Sequence, residues 1–235
     1  MKSIKKIKQD IWHTAQIKGI VEVFEEISAI KMKTIRDEIL GTREFLERLA
    51  NLSNEVGNDL STIDEIPNSA VVYLSASSGM YGDLPEKVFN AFLDYIKVNK
   101  ATIFIFGKQG KTYVDKYRPN LKFVYYELDD KKKTIDIMTE SLKLLLNYSQ
   151  ITVFYGKFKN IVSQSAVSQS IMGDYDQKFN SMSKKELAEK RFKHLYEPSV
   201  TEVQKMFATE IKTSVFEGML NENDLAKTAS RLMHL

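Results

Sequence analysis

Over its first 55 or so residues the chain has no proline, and its only glycines there are Gly19 and Gly41. Proline is the residue that most surely ends a helix, because it lacks an N–H and its ring clashes with the preceding turn. Apolar residues recur through this stretch at helical spacing: Ile4, Ile7 and Ile11, then Ile17, Ile20, Phe24 and Ile27, then Met32, Ile35 and Ile39, then Leu46 and Leu49. Charged side chains fill the positions between them. This periodicity predicts one long amphipathic helix. At 1.5 Å per residue, roughly 50 helical residues span ~75 Å. A chain of 235 residues needs no such rod inside a single globule, so the helix is expected to be a coiled-coil element or a shaft buried in a partner.

The middle of the chain has the opposite texture. "AVVYLSAS" (70–77), "TIFIFG" (102–107), "KFVYYEL" (122–128) and "QITVFYGKF" (150–158) are short runs rich in Val, Ile, Tyr and Phe. Helical patterns lie between them, at about 84–98 and 134–148. Strands alternating with helices of this length predict βαβ units and an open sheet. Strands that are apolar throughout are covered on both faces. After Pro198 the chain is again free of proline, and Val200, Val203, Met206, Phe207, Ile211, Val215, Met219, Leu220, Leu225, Ala229 and Leu232 trace a second helical stripe. Pro198 suits the first turn of that helix.

The expected fold class is therefore α/β. Long N- and C-terminal helices are paired as an antiparallel coiled coil, with a central open α/β (Rossmann-like) sheet domain between them. The expected divisions are 1–55 for the first helix, 68–195 for the sheet domain and 198–235 for the last helix.

Composition narrows the function. The net charge of +3 is small against 34 basic and 31 acidic residues, which argues against a nucleic-acid partner. Lys131, Lys132 and Lys133 follow Glu127, Asp129 and Asp130, and read as a solvated turn. There is no cysteine, which removes disulfides, thiolate metal sites and a cysteine nucleophile, and fits a reducing cytoplasm. His13, His194 and His234 have no ligand spacing, so no metal site is expected. No apolar run approaches the ~18–20 residues that cross a membrane. The basic start "MKSIKKIKQDIW" lacks the apolar core of a secretory signal.

One segment invites an enzymatic reading. Gly107-Lys108-Gln109-Gly110-Lys111-Thr112 follows an apolar run and ends in G-K-T. A nucleotide-binding P-loop has the pattern G-x-x-x-x-G-K-[ST], and its first glycine would fall on Ile105. β-Branched and aromatic residues there suit a strand and not a loop curled around phosphates. Pro119 limits any following helix to about two turns. A strand-to-turn corner with an exposed basic tip is the expected structure.

Specific words now meet this layout. "IKQDIWHTAQIKGIVEVFEEISAIKMK" resembles the first helix of the gamma subunit of F-type ATP synthases, through Ile7, Lys8, Ile11, Ile20, Ile27, Ser28, Ala29, Lys31 and Lys33 without a gap. "VVYLSASSGMYGDLP" resembles that family's strand and G-L-C-G turn, here Gly79-Met80-Tyr81-Gly82. "IFIFGKQG" is similar to its second strand and G-[KR]-[KR]-G corner, which the family does not use as a P-loop. "VFYGKFKNIVSQSAV" is similar to its Y-N-K-F-K-N-x-x-S-Q segment, "LYEPS" to the start of its terminal helix, and "ASRLMHL" to its A-A-R-M-x-A-M. Six such words in order cover nearly the whole chain.

The resemblance implies a non-catalytic central shaft whose paired end helices enter a ring of alpha- and beta-type ATPase subunits. Nucleotide would be bound by those partners, with no cofactor on this chain. An epsilon-like subunit and a membrane ring or its substitute are the implied partners at the foot. The implied location is cytoplasmic, peripheral to the inner face of the cell membrane. Ile4, Ile7, Ile11, Trp12, Lys18, Ile20, Glu22, Phe24, Glu25, Glu26, Lys31 and Arg231 are the expected ring-facing residues, with Lys33 and Arg36 on the same charged face. Tyr196 and Glu197 are the expected foot contacts.

Departures bear on which machine this is. Phe24 stands where the family has Met, Glu25 and Glu26 where it tends to Lys and Met, and Tyr81 where G-L-C-G has Cys. The sequence stops at Leu235, where the family continues for about 35–45 helical residues, or about 60 Å. The expectation from these departures is a diverged paralogue driving mechanical work such as gliding motility. The alternative is the gamma subunit of an ordinary proton-translocating synthase, and a third reading is a stand-alone adaptor.

Overall fold

A computed structural model of the chain describes residues 4–56, 66–128, 135–171, 197 and 199–234. The lysine run 131–133, His194, Tyr196 and Pro198 lie outside the described residues.

The elements are α1 (Ile4–Val56), β1 (Ile66–Leu74), α2 (Leu84–Val98), β2 (Thr102–Phe106), α3 (Lys108–Tyr117), β3 (Val124–Tyr126), α4 (Ile135–Leu145), β4 (Tyr148–Phe158), β5 (Gln164–Ser170) and α5 (Val200–His234). α1 is one uninterrupted helix of 53 residues. Its β-branched polar residues are accommodated within the helix, since the Thr14, Thr34 and Thr42 hydroxyls donate to the carbonyls of Asp10, Ile30 and Glu38. α5 opens on Ser199, whose Oγ accepts from the N–H of Glu202 at 3.2 Å. The run Ser199-Val-Thr-Glu202 is the sequence of a capping box.

The five strands form one sheet in the order β3-β2-β1-β4-β5. β1 pairs in parallel with β2 and β4, β2 pairs in parallel with β3, and β5 returns antiparallel to β4. β1 lies at the centre, and Ala70 to Leu74 are almost wholly buried. Side chains alternate across a strand, so these five residues serve two cores. Ala70, Val72 and Leu74 face Leu46 and Leu49 of α1, Leu142 and Leu145 of α4, and Ile211, Val215, Phe216 and Met219 of α5. Val71 and Tyr73 face Leu84, Val88, Phe89 and Phe92 of α2 and Val114 of α3. The molecule thus has three layers, with α2 and α3 on one side of the sheet and α1, α4 and α5 on the other.

Several expected boundaries shift. β3 is only three residues long where seven were expected. β4 begins at Tyr148, inside the segment expected to be helical, and α4 stops at Leu145. β5 was not expected as a strand: "QSAVSQS" has no apolar run, and at the sheet edge its residues are half-buried apart from the exposed Ser168.

The Gly107–Thr112 segment is not a bare turn. Gly107, at φ 96°, ends β2, and α3 begins at the next residue and runs for ten residues. Gly110 lies inside that helix against the sheet. A Cβ there would come within 2.8–2.9 Å of Ser75 Cβ, Ile105 Cγ2 and Tyr73 Cε1. The second glycine of the apparent nucleotide motif is therefore what lets α3 close on β1 and β2. Thr112 donates its hydroxyl to the Lys108 carbonyl at 3.1 Å, and the Lys111 ammonium sits 5.1 Å from the Tyr125 ring.

The glycines give opposite expectations. Gly110→Ala should lower the unfolding free energy, because overpacking of about 1–3 kcal/mol exceeds the about 1 kcal/mol of helix propensity gained. Gly41→Ala meets no atom within 4 Å and should stabilise by about 0.5–1 kcal/mol. Urea unfolding of the two variants beside the parent checks both signs.

Candidate interaction surfaces

Two surfaces stand out, one bare and one filled. The bare one is the N-terminal half of α1. Its first buried residue is Ser28, followed by Ile35, Leu46 and Leu49. Before that point the apolar stripe is open: Ile4 is 77% exposed, Ile11 62%, Trp12 60% and Ile20 57%. Ile7, Ile17, Val23, Ile27 and Ile30 are exposed as well. Single exposed apolar residues are ordinary, but a continuous stripe marks an interaction surface.

The expected ring-facing residues fall mostly on this segment. Ile4, Ile7, Ile11, Trp12, Lys18, Ile20, Glu22, Glu25 and Glu26 are exposed, and Phe24 and Lys31 are half-buried. Lys18 and Glu22 form an exposed pair at 3.6 Å, one turn apart. A pair of this kind adds only a few tenths of a kcal/mol. Lys33 and Arg36 are exposed too, and Glu197 is exposed at the approach to α5.

The filled surface is the C-terminal edge of the sheet. β1 continues into β2 on one side and is flanked by β4 on the other, so strand order reverses between β1 and β4. In open α/β sheets the crevice at that reversal is where ligands bind. Here it is occupied by α5. Asn223 Oδ1 accepts from the Gly156 N–H at 2.9 Å, at the end of β4. Gly156 has no room for a side chain, with Leu84 and Asn223 at 3.0 and 3.3 Å from a Cβ placed there. The Tyr155 hydroxyl lies 2.7 Å from Gln169 Oε1 and 3.0 Å from Glu222 Oε2.

The turn after β1, Ser78 to Gly82, closes over the last turns of α5. Ser230 donates to the Tyr81 carbonyl at 2.8 Å. The Arg231 guanidinium stands 4.4 Å from the Tyr81 ring centroid, and its Nη2 donates to Ser78 Oγ at 3.0 Å. Lys227 is buried beside Asp224, 2.8 Å away, with its ammonium 5.8 Å from the same ring. Gly82 has φ 57°, and a Cβ there would sit 2.0 Å from the His234 imidazole. This is the part of the chain that carries Gly79-Met80-Tyr81-Gly82. Arg231, expected to face outward by resemblance, is engaged within its own chain. Tyr81 as the platform for two cations had no sequence signal of its own, though Lys227 and Arg231 are one helical turn apart.

Among the described residues no cluster of His, Asp or Glu could hold a metal ion, and no helix is long and apolar enough to cross a membrane.

Comparison with known proteins agrees with this geometry. The family described as ATP synthase matches residues 3–235. The ATP synthase gamma chain of Ruthia magnifica subsp. Calyptogena magnifica is 22% identical over 249 residues, covering 97% of this chain and 84% of that one. The gamma chain of Flavobacterium johnsoniae is 23% identical over 236 residues, covering 93% and 80%. Among solved structures, a chain from the central stalk/c-ring of the Tetrahymena thermophila mitochondrial ATP synthase superposes with a TM-score of 0.62 at 16% identity, over 91% of this chain and 96% of that one. One from the Euglena gracilis mitochondrial ATP synthase rotor does so at 0.50 and 15%, over 92% and 90%.

Arg231→Ala should loosen the end of α5 from the turn after β1. Loss of one charge-assisted hydrogen bond and one cation–π contact at a half-exposed site is worth about 1–2 kcal/mol. Hydrogen–deuterium exchange should show faster exchange in 225–234 and 78–82, with β1 and β4 protected as before.

Proposed function

The chain belongs to the ATP synthase gamma family as a non-catalytic central-stalk subunit, and we propose that its α1 and α5 pair antiparallel as a shaft seated in a ring of alpha- and beta-type subunits. The observation that carries this is the division of α1. Its C-terminal part packs against α5 and the sheet, while its N-terminal part carries a bare apolar stripe. A helix of that length has little of its own chain to cover it. The ring-facing set proposed is Ile4, Ile7, Ile11, Trp12, Lys18, Ile20, Glu22, Phe24, Glu25, Glu26 and Lys31. Arg231 would act indirectly, by fixing α5 on the turn after β1.

The sheet domain is the proposed foot, with Tyr196 and Glu197 near an epsilon-like subunit and a membrane ring or its substitute. The chain is proposed to lie at the cytoplasmic face of the membrane. Nucleotide is proposed to bind the partner subunits and not this chain. Support comes from the filled crevice at the strand reversal and from Gly110, which is packed into a helix. Between the two kinds of machine, the relatives favour the proton-translocating synthase, since those described above are ATP synthase gamma chains. The expected specialisation for gliding finds no support among them.

Mass spectrometry of the complex purified through this chain tests the assignment. Alpha, beta and c-ring subunits are expected, and a complex without ATPase ring subunits would overturn the shaft. Isothermal titration of the isolated chain with MgATP should show no saturable binding. Phe24→Asp and Ile11→Asp should each lower the ATP turnover of the assembled complex severalfold. Ile11→Asp, at an exposed site, should change the stability of the isolated chain by no more than about 0.5 kcal/mol.

A further inference from the structure

The sheet face opposite the shaft helices carries a site of its own. Between α2 and α3 lies a cavity of about 370 Å³, lined by Glu86, Phe89, Asn90, Leu93, Tyr113 and Tyr117. Phe89 is buried and forms its back. The Tyr113 ring stands 5.2 Å from it at 44°, and the Tyr117 ring 5.8 Å from it at 42°. Phe89 and the two tyrosine rings thus line one hollow without stacking face to face, with Phe89 buried behind and the rings of Tyr113 and Tyr117 the more accessible ones. Aromatic faces carry the negative part of the ring quadrupole and attract cations.

Charge in and around the hollow points the same way. On the exposed side of α2, Asp83 is paired with Lys87 at 2.7 Å and Asp94 with Lys97 at 2.7 Å. Glu86 lines the cavity, and among the described residues it forms no ion pair. The Tyr113 hydroxyl is pushed up by burial first and by the Glu86 carboxylate next, with Tyr117 adding to it and Lys116 opposing. Lys116 holds its ammonium 5.0 Å from the Tyr117 centroid.

We propose that the α2–α3 cavity receives an arginine side chain presented by a partner protein. A planar guanidinium can lie against a tyrosine face while its fork meets a carboxylate, a combination that an ammonium cannot match. Glu86 supplies the carboxylate, Asn90 a further acceptor, and Phe89 and Leu93 an apolar wall for the alkyl stem. One carboxylate without other charged ligands is a poor metal site. The volume exceeds what a free inorganic cation needs. The site lies on the layer away from α1 and α5, so it goes beyond the central-stalk reading and does not depend on it.

The first test uses the full chain alone, with the aromatic rings of Phe and Tyr isotopically labelled. N-acetyl-Gly-Arg-Gly-amide should shift the Tyr113 and Tyr117 ring signals saturably, and the same peptide with neutral citrulline should not. Glu86→Gln, at an exposed position, should weaken the arginine peptide about two- to fivefold, as expected for loss of a solvent-exposed charge-assisted contact. Equal binding of the citrulline peptide, or no effect of Glu86→Gln, would overturn the proposal. The second test places a photo-crosslinking benzoylphenylalanine at Asn90 in the assembled complex. A cross-link to another protein within a few residues of an arginine is expected. A cross-link to lipid, or to a segment without arginine, or tighter binding of tetramethylammonium than of the arginine peptide, would overturn a protein partner. The first test reads the cavity whatever complex the chain enters, so its failure is distinct from failure of the shaft.

Discussion

Everything in this molecule leans on the burial of α5. A helix on the surface of a domain hides one stripe, yet from Ile211 to Ser230 nearly every residue of α5 is buried or half-buried. Even Lys212 keeps only 2% of its surface exposed. The helix is enclosed because α1 lies along one side, the sheet along another, and the turn after β1 over its end. Remove α5 and Val72, Leu74, Val153 and Tyr155 lose the cover for one face of the sheet, while Leu46 and Leu49 of α1 lose their partners. The long helix and the sheet domain share one core and not two cores joined by a linker.

That arrangement also explains why an apparently ligand-ready fold is closed. The strand reversal between β1 and β4 creates the crevice that open α/β sheets use for binding. Asn223, Glu222 and Ser230 fill it with polar contacts to β4 and to the turn after β1. The nucleotide-like word at Gly107–Thr112 fails for a related reason. Its glycine is needed for contact between α3 and β1, so its backbone is committed to packing.

The sequence carried much of this in periodicity. The proline-free start, the four apolar strand runs and the stripe after Pro198 each correspond to an element. Where the reading fell short, local pattern was a poor guide to tertiary context. β5 is polar because it is a sheet edge, so it has neither an apolar run nor strict alternation. α3 is hard to tell from a turn in the sequence because its lysines and Gly110 look like a basic corner, although Tyr113 and Tyr117 are spaced for a helix. The stripe at the start of α1 was legible as apolar positions expected to face a partner, and the structure adds where the bare part ends, at Ser28 and Ile35. Arg231 was placed by resemblance, and no local signal tied it to Tyr81, 150 positions away in sequence.

The placement of α5 has a consequence for synthesis. The helix that completes the core is translated after every strand. Until it emerges from the ribosome, the sheet face formed by Val72, Leu74 and Tyr155 has only α4 and α1 to meet it. Contacts between residues 35–49 and 211–220 close a loop of well over a hundred residues, and such distant closures slow folding. α1 is made first and is the last to find its mate. During that interval Leu46 and Leu49 of α1 lack their cover and add to the apolar stripe already bare nearer the N-terminus, which enlarges the surface the nascent chain exposes to aggregation.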